Sequence, residues 1–113
     1  MKNWYREEYS FKITVESVGS DGSPKNCRNS HEVGDTYDCG YGCPGRIGEQ
    51  DAKHPTSPGE FCSKSMAKLF PLMEAVRAGG DLSNLLADAS KHSGEFYCPD
   101  GVALFKLEAL RNE

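Results

Sequence analysis

The pattern of apolar and polar positions predicts one long helix in the second half of the chain. Between residues 58 and 80 the larger apolar residues fall on one stripe with a 3.6-residue period. They are Cys62, Met66, Leu69, Phe70, Met73 and Val76. Pro71 lies inside this pattern, and it removes one backbone donor and crowds the carbonyl four residues back, so we expect a kink or two abutting helices. The double glycine Gly79-Gly80 marks the end of the helix.

Alternation of apolar and polar residues predicts strands on both sides of that helix. Phe11, Ile13 and Val15 alternate with polar neighbours, which is typical of a half-buried strand. We predict further strands at 36–39, 95–98 and 102–109. A Pro-Asp-Gly turn at 99–101 should join the last two into a hairpin, and the final strand is expected to pair with 11–18.

The segment after the double glycine predicts a second, short helix. Asp81 can cap it, and Leu82, Leu85 and Leu86 would share one side. The expected fold is therefore α+β: a small, mainly antiparallel sheet with one long kinked helix and a short second helix packed on it.

Length and composition predict one domain. The chain has 113 residues, near the usual domain size, with 12 Gly and 6 Pro. We expect residues 1–10 to be a polar and aromatic leader and residues 11–113 to form the α+β domain. A Gly/Pro-rich loop at 40–60 interrupts that domain and exceeds the length of about 12–15 residues common for unstructured connections.

Charge and hydropathy argue against several classes of partner. The net charge is −4, and the 13 Lys and Arg residues are scattered without a run. A nucleic-acid-binding face or an anionic membrane surface would need a basic cluster. No apolar run approaches the roughly 18 residues of a membrane span, and the first residues lack the apolar core of a signal peptide. The expected location is cytoplasmic.

The five cysteines are the main candidates for chemistry. Their odd number and a reducing cytoplasm disfavour structural disulfides, which leaves buried inert thiols, metal ligands or reactive thiols. The pairs Cys27/His31 and Cys39/Cys43 have spacings compatible with local halves of a zinc site. The candidate ligands are Cys27, His31, Cys39, Cys43, Cys62 and Cys98, with His54 and His92 in reserve.

Cys62 also supports two other interpretations. It lies at the first turn of the predicted helix, where unpaired backbone N–H groups favour a thiolate. With His31 or His92 as the base, it could act as the nucleophile of a thiol enzyme. Free cysteine is also among the most buried residue types, so Cys62 on the apolar stripe fits an inert packing role equally well.

An ordered set of short motifs resembles an uncharacterised family of small bacterial and archaeal proteins. A cysteine precedes an H-x-V-G-D motif, and a P-x-G-x-C motif opens a helix that contains an L-[YF]-P step and ends in a double glycine. A C-P-D motif and an F-x-[LI]-E ending follow. These motifs match Cys27, His31–Asp35, Pro58–Cys62, Leu69–Pro71, Gly79-Gly80, Cys98–Asp100 and Phe105–Glu108. The resemblance covers roughly residues 11–110. This chain departs from the family at residues 81–84, where relatives often have a Pro-Trp step.

The resemblance implies no established activity, but it separates the cysteines into two groups. The residues on the family pattern are Cys27, His31, Cys62 and Cys98, whereas Cys39, Cys43 and His54 fall in the loop peculiar to this chain. Three cysteines and one histidine suit zinc, or alternatively an iron–sulfur cluster. We therefore predict a small metal-binding accessory or binding protein in which these four residues hold one ion.

Two alternatives stay open, and neither needs a cofactor. One is the thiol enzyme with Cys62 as nucleophile. The other is a non-catalytic interaction subunit that associates with a larger enzyme or with itself through the leader and the 40–60 loop.

Overall fold

A computed structural model describes residues 9–27, 29–39 and 61–111 of the chain. The first eight residues of the predicted leader and the predicted loop at 40–60 lie outside these ranges. Four strands form one antiparallel sheet in the order β2-β1-β4-β3. They are β1 (Tyr9–Val18), β2 (Thr36–Cys39), β3 (Ser93–Tyr97) and β4 (Ala103–Arg111), and the helix α1 (Ser63–Arg77) lies between β2 and β3 in the chain.

The two central strands, β1 and β4, come from opposite ends of the described chain. Their register places Ile13 opposite Leu107 and Val15 opposite Phe105, and it shifts after Val15 at an irregularity. Alternate residues of both strands are buried on one face, as the period-two pattern requires. The apolar core therefore lies on one side of the sheet.

Helix α1 contributes its apolar stripe to this core. Leu69, Met73 and Val76 are fully buried with the inward residues of the central strands. Near the end of the helix the Arg77 guanidinium lies 5.0 Å from the centre of the Phe11 ring. The positions of these residues fix the helix against the sheet and so fix where its first turn lies.

The prediction of a long kinked helix or two abutting helices is wrong. Helix α1 is a single element of 15 residues that continues through Pro71. Pro71 is exposed, whereas the buried residues Leu69 and Met73 on either side of it pack into the same core. We infer that this packing offsets the one backbone hydrogen bond that the proline removes. Phe70, which we placed on the apolar stripe, is half exposed.

The prediction of a second helix is also wrong. The segment forms only a three-residue 3-10 turn, Leu82–Asn84, which Asp81 caps by accepting a hydrogen bond from the Ser83 N–H. Leu82 is fully buried and Leu86 packs partly buried against the core, but Leu85 is 55% exposed, so the three leucines do not share one buried side. The described chain is mostly sheet, and the class α+β fits it only loosely.

The antiparallel sheet itself agrees with the alternation in the sequence. Strand β1 begins at Tyr9, inside the predicted leader, and β3 begins at Ser93, two residues before the predicted start. The predicted pairing of the last strand with the first is present. No helix formed by the described residues is long and apolar enough to cross a membrane.

The central position of Phe105 predicts a large loss of stability on its removal. Phe105 is fully buried on β4, and its replacement by alanine leaves a cavity, so Phe105→Ala should lower the free energy of unfolding by about 3–5 kcal/mol. Phe70→Ala is the matched control, because this phenylalanine is 48% exposed and its loss should cost less than about 1 kcal/mol. Urea denaturation of both variants measures the difference, and equal losses would contradict this description of the core.

Candidate functional site

All four residues of the predicted metal site line one cavity of about 30 Å³. Cys27 follows a 3-10 turn (Pro24–Asn26), His31 precedes β2, Cys62 precedes α1, and Cys98 follows β3. The fold thus gathers residues from four separate segments at one end of the helix. The remaining lining residues are Asn26, Asn29, Lys64, Ser65, Pro99, Asp100, Val102, Ala103 and Phe105.

Cys62 occupies the N-cap position of α1. Its carbonyl accepts the first hydrogen bond of the helix, from the Met66 N–H at 3.1 Å. Its side chain makes no capping hydrogen bond to the first turn. The first-turn N–H groups of a helix lack partners within the helix and carry partial positive charge, so the thiol of Cys62 lies where negative charge is favoured.

Cys98 lies in a tight turn between β3 and β4. The Gly101 N–H donates to the Cys98 carbonyl at 2.8 Å, and the Cys98 N–H donates to the Ala103 carbonyl at the same distance. The Ala103 N–H in turn donates to the Cys98 sulfur, with the nitrogen 3.4 Å from Sγ. An N–H donor at a sulfur supports negative charge there. The turn therefore both positions this thiol and provides it with a polar partner.

His31 uses both ring nitrogens inside the fold. Its Nε2 lies 3.2 Å from the Cys62 backbone nitrogen, whose N–H donates to it, and 3.2 Å from Asn29 Nδ2. Its Nδ1 lies 3.0 Å from the Tyr37 hydroxyl oxygen. Because Nε2 accepts the backbone N–H, we assign the ring proton to Nδ1, which donates to Tyr37. His31 thereby connects β2 to the start of α1.

Aromatic rings surround this histidine. The rings of Tyr37, Phe61 and Phe105 have centres 5.4–5.6 Å from the His31 ring. Phe61, the residue before Cys62, also packs against Phe105 with ring centres 5.0 Å apart. We call His31 and these three rings the aromatic cluster. It fixes the chain directly before the helix, and hence the backbone that carries the Cys62 thiol.

Burial keeps the polar members of the aromatic cluster uncharged. Desolvation lowers the pKa of His31 below its ordinary value of 6.5, against an opposing effect of the Asp35 charge. Desolvation also raises the pKa of Tyr37 to about 12, and the charges of Asp35 and Cys27 act in the same direction. At neutral pH the cavity is therefore lined by a neutral imidazole that has no free lone pair.

The four predicted residues meet at the cavity but do not form a preformed metal cage. Among the residues that the structure describes, no three His, Cys, Asp or Glu side chains are placed so that they could hold a metal ion. The ligand set Cys27, His31, Cys62 and Cys98 stays a prediction. The engaged nitrogens of His31 make it the least available of the four.

The other candidate ligands are not at this cavity. Cys39 is buried in the core on β2, and the Nε2 of His92 lies 3.3 Å from the Tyr9 hydroxyl. Neither lines the cavity that the described residues form. Cys43 and His54 lie outside the described residues.

Sequence reasoning missed Ser65 and Tyr37, which contact or line the site. Ser65 could have been found, because it follows Cys62 by three residues and side chains at that spacing lie on one face of a helix. Tyr37 gave no such indication, because its contact with His31 depends on how the loop before β2 folds back.

The buried neutral state of His31 predicts a pH-dependent stability. The pKa of His31 is lowered in the folded state, so below about pH 6.5 the unfolded chain binds a proton that the folded chain excludes. The free energy of unfolding of metal-free protein should be highest above this pH and fall on acidification, by at most about 1.4 kcal/mol per pH unit for one proton. His31→Gln should remove this pH dependence of the free energy of unfolding, whereas the control His92→Gln should retain it. Urea denaturation of the three proteins between pH 5 and pH 8 measures the difference. Identical pH slopes for wild type and His31→Gln would contradict the assignment.

No protein-family model, curated protein or solved structure matches this chain. The family resemblance drawn from the motifs therefore stays a prediction. What can be proposed about function depends on the geometry of the cavity and on the chemistry of its thiols.

Proposed function

We propose that this protein is a small metal-binding protein that holds one thiophilic ion through Cys27, Cys62 and Cys98. The observation that carries the proposal is the convergence of these thiols, from three separate segments, on one cavity. Thiolates are the ligands that zinc, iron–sulfur clusters and Cu(I) prefer. Three independent segments would not be expected to bring their thiols to the wall of the same cavity if each cysteine only filled space.

The size of the cavity favours an ion over an organic substrate. Its volume of about 30 Å³ is enough for an ion or one or two water molecules. Pockets that enclose organic ligands usually measure about 300–1,000 Å³. The same limit favours a single zinc ion over an iron–sulfur cluster, which is larger than one ion.

His31 has a positioning role in this proposal and is not the fourth ligand. Its Nε2 already accepts the Cys62 N–H, and its Nδ1 is bonded to Tyr37. If Nε2 bound an ion instead, the partly buried N–H of Cys62 would lose its acceptor. The histidine instead holds the backbone of one thiol ligand, as partners beyond the ligands commonly do in metal sites.

Ion binding must draw the three sulfurs together. Zinc–sulfur bonds of about 2.3 Å in a tetrahedral site place sulfur atoms roughly 3.8 Å apart. As the side chains are placed, no three of them could hold an ion, so rotation about the Cα–Cβ bonds of the cysteines accompanies loading. Reduced thiols suit the cytoplasm, which we propose as the location. A role as an accessory protein is in keeping with a cavity too small for an organic substrate.

Metal content of cysteine variants tests the proposal. Protein purified without oxygen should carry about one zinc per chain, since one tetrahedral site holds one ion. Cys27→Ala, Cys62→Ala and Cys98→Ala should each lose most of the zinc, and the melting temperature should fall with it because a bound ion stabilises only the folded state. Elemental analysis and thermal denaturation measure the two effects.

The control for these variants is Cys39→Ala, because Cys39 is buried in the core and does not line the cavity. It should keep the zinc even if its own packing loss lowers the melting temperature. Full zinc content in any of the three cavity variants would remove that cysteine from the ligand set. Absence of zinc and of any other metal from the wild type, together with failure to take up added zinc, would refute the proposal.

A second candidate function is thiol chemistry at Cys62. The specific observation in its favour is the N-cap position of this cysteine, whose side chain makes no capping bond to the helix. Thiols at helix N-termini are commonly the reactive ones. The imidazole of His31 is bonded to the backbone nitrogen of Cys62, so the thiolate would depend on the helix and not on a histidine base.

Selective alkylation tests this second candidate. In metal-free protein near neutral pH, iodoacetamide should modify Cys62 faster than Cys27 and Cys98, by about tenfold or more if the first turn stabilises the thiolate. Peptide mass spectrometry after timed quenching gives the rate for each cysteine in the same sample. Equal slow rates for all three would leave no support for a nucleophilic Cys62.

A further inference from the structure

Ser65 has a buried hydroxyl group that the fold does not satisfy. Its side chain is fully buried, lines the same cavity as the three thiols, and has no hydrogen-bond partner for Oγ among the described residues. Serine within a helix commonly bonds the carbonyl four residues earlier, but Ser65 does not. A buried hydroxyl without a partner destabilises the fold, so its presence here needs a reason.

The position of Ser65 identifies what would accept its hydrogen bond. Ser65 is the third residue of α1, and its side chain lines the cavity beside the first turn, whose N–H groups favour negative charge. The Nε2 of His31, one neutral acceptor in the cavity, already accepts from the Cys62 N–H and from Asn29. The groups in the cavity that gain strong acceptor character on ion loading are the sulfurs themselves.

The charge of the loaded site makes such donors necessary. Three thiolates around one divalent ion carry a net charge of −1 (−3 + 2). Asp100 also lines the cavity and adds negative charge. The positive contributions come from the N-terminus of α1, equivalent to roughly half a unit charge, and from Lys64, which lines the cavity as an exposed residue.

We infer that the Ser65 hydroxyl donates a hydrogen bond to a ligand sulfur of the loaded site. Together with the N–H groups of the first turn of α1, it stabilises a metal–thiolate centre of net negative charge. This inference rests on the proposed function. Ser65 is then a positioning residue of the site and not a ligand. Lys64 assists from the rim, where solvent and salt screen its charge.

The inference predicts opposite effects of Ser65→Ala on the empty and the loaded protein. In the metal-free protein the variant should be as stable as wild type or more stable, because it removes an unsatisfied hydroxyl. Zinc affinity should fall by about 10–100-fold, the usual loss when a partner of a metal ligand is removed. Competition with a chromophoric chelator measures the affinity, and urea denaturation with excess chelator measures the stability.

Two controls accompany this measurement. Ser10→Ala removes the other buried serine of the described chain, on β1 and away from the cavity, and should leave zinc affinity unchanged. Lys64→Gln should weaken zinc binding at low salt and much less at high salt. Lys68→Gln changes the same charge one turn further along α1, where Nζ donates to the Tyr97 carbonyl, and should have the smaller effect at every salt concentration.

The outcomes separate this inference from the proposed function. Wild-type protein that binds no zinc overturns both. Wild type that binds zinc while Ser65→Ala binds it equally well overturns only the inference about Ser65. A clear loss of stability of the metal-free Ser65→Ala variant would also overturn it, because the hydroxyl would then have a partner in the empty fold. Lower zinc affinity with unchanged metal-free stability supports it.

Discussion

One hydrogen bond, from the Cys62 N–H to His31 Nε2, organises the site. It joins the segment before β2 to Cys62, the N-cap residue of α1, and these two parts of the chain are 31 residues apart. The bond requires an unprotonated Nε2, and the Tyr37 hydroxyl on the opposite nitrogen and the surrounding rings maintain that state. Helix α1 begins directly after Cys62. The backbone position of this cysteine, and so that of its thiol, therefore depends on an unprotonated His31 Nε2.

This arrangement divides the polar residues of the cavity into two kinds. His31 is satisfied within the fold, because its two ring nitrogens are hydrogen-bonded to the Tyr37 hydroxyl and to the Cys62 N–H. Ser65 is not satisfied, and the thiols have few partners apart from the Ala103 N–H at Cys98. The cavity thus combines an imidazole that is hydrogen-bonded within the fold with three sulfurs and a hydroxyl donor that has no partner among the described residues. Both proposed functions, metal binding and thiol chemistry, draw on that combination.

The sequence predicted the sheet better than the helices, for a physical reason. Alternation along β1 and β4 reflects burial on one face, which a single strand already encodes. Pro71 suggested a kink from local sterics, but the packing of Leu69 and Met73 into one core is a tertiary effect. The second helix was predicted from three leucines, yet Leu85 is exposed. Local spacing could not show that Leu82 and Leu86 pack against the core while Leu85 does not.

The sequence indicated four residues that line the cavity, but neither its other polar members nor the roles of any of them. Cys27, His31, Cys62 and Cys98 were selected because motifs of a resembling family contain them, and all four line one cavity. That His31 accepts a hydrogen bond from a backbone N–H depends on the aromatic cluster, which assembles residues from three distant segments. Sequence spacing carries no information about such an assembly.

The pairing of β1 with β4 has a consequence for how the protein is made. The centre of the sheet joins Tyr9 to Arg111, so a ribosome must release nearly the whole described chain before the central pairing can be completed. Cys27 and Cys62 emerge well before the strand that completes the core, and Cys98 emerges just ahead of it. Contacts of such large sequence separation form slowly. During synthesis these thiols therefore remain outside a finished fold until β4, the last of the described strands, has left the ribosome.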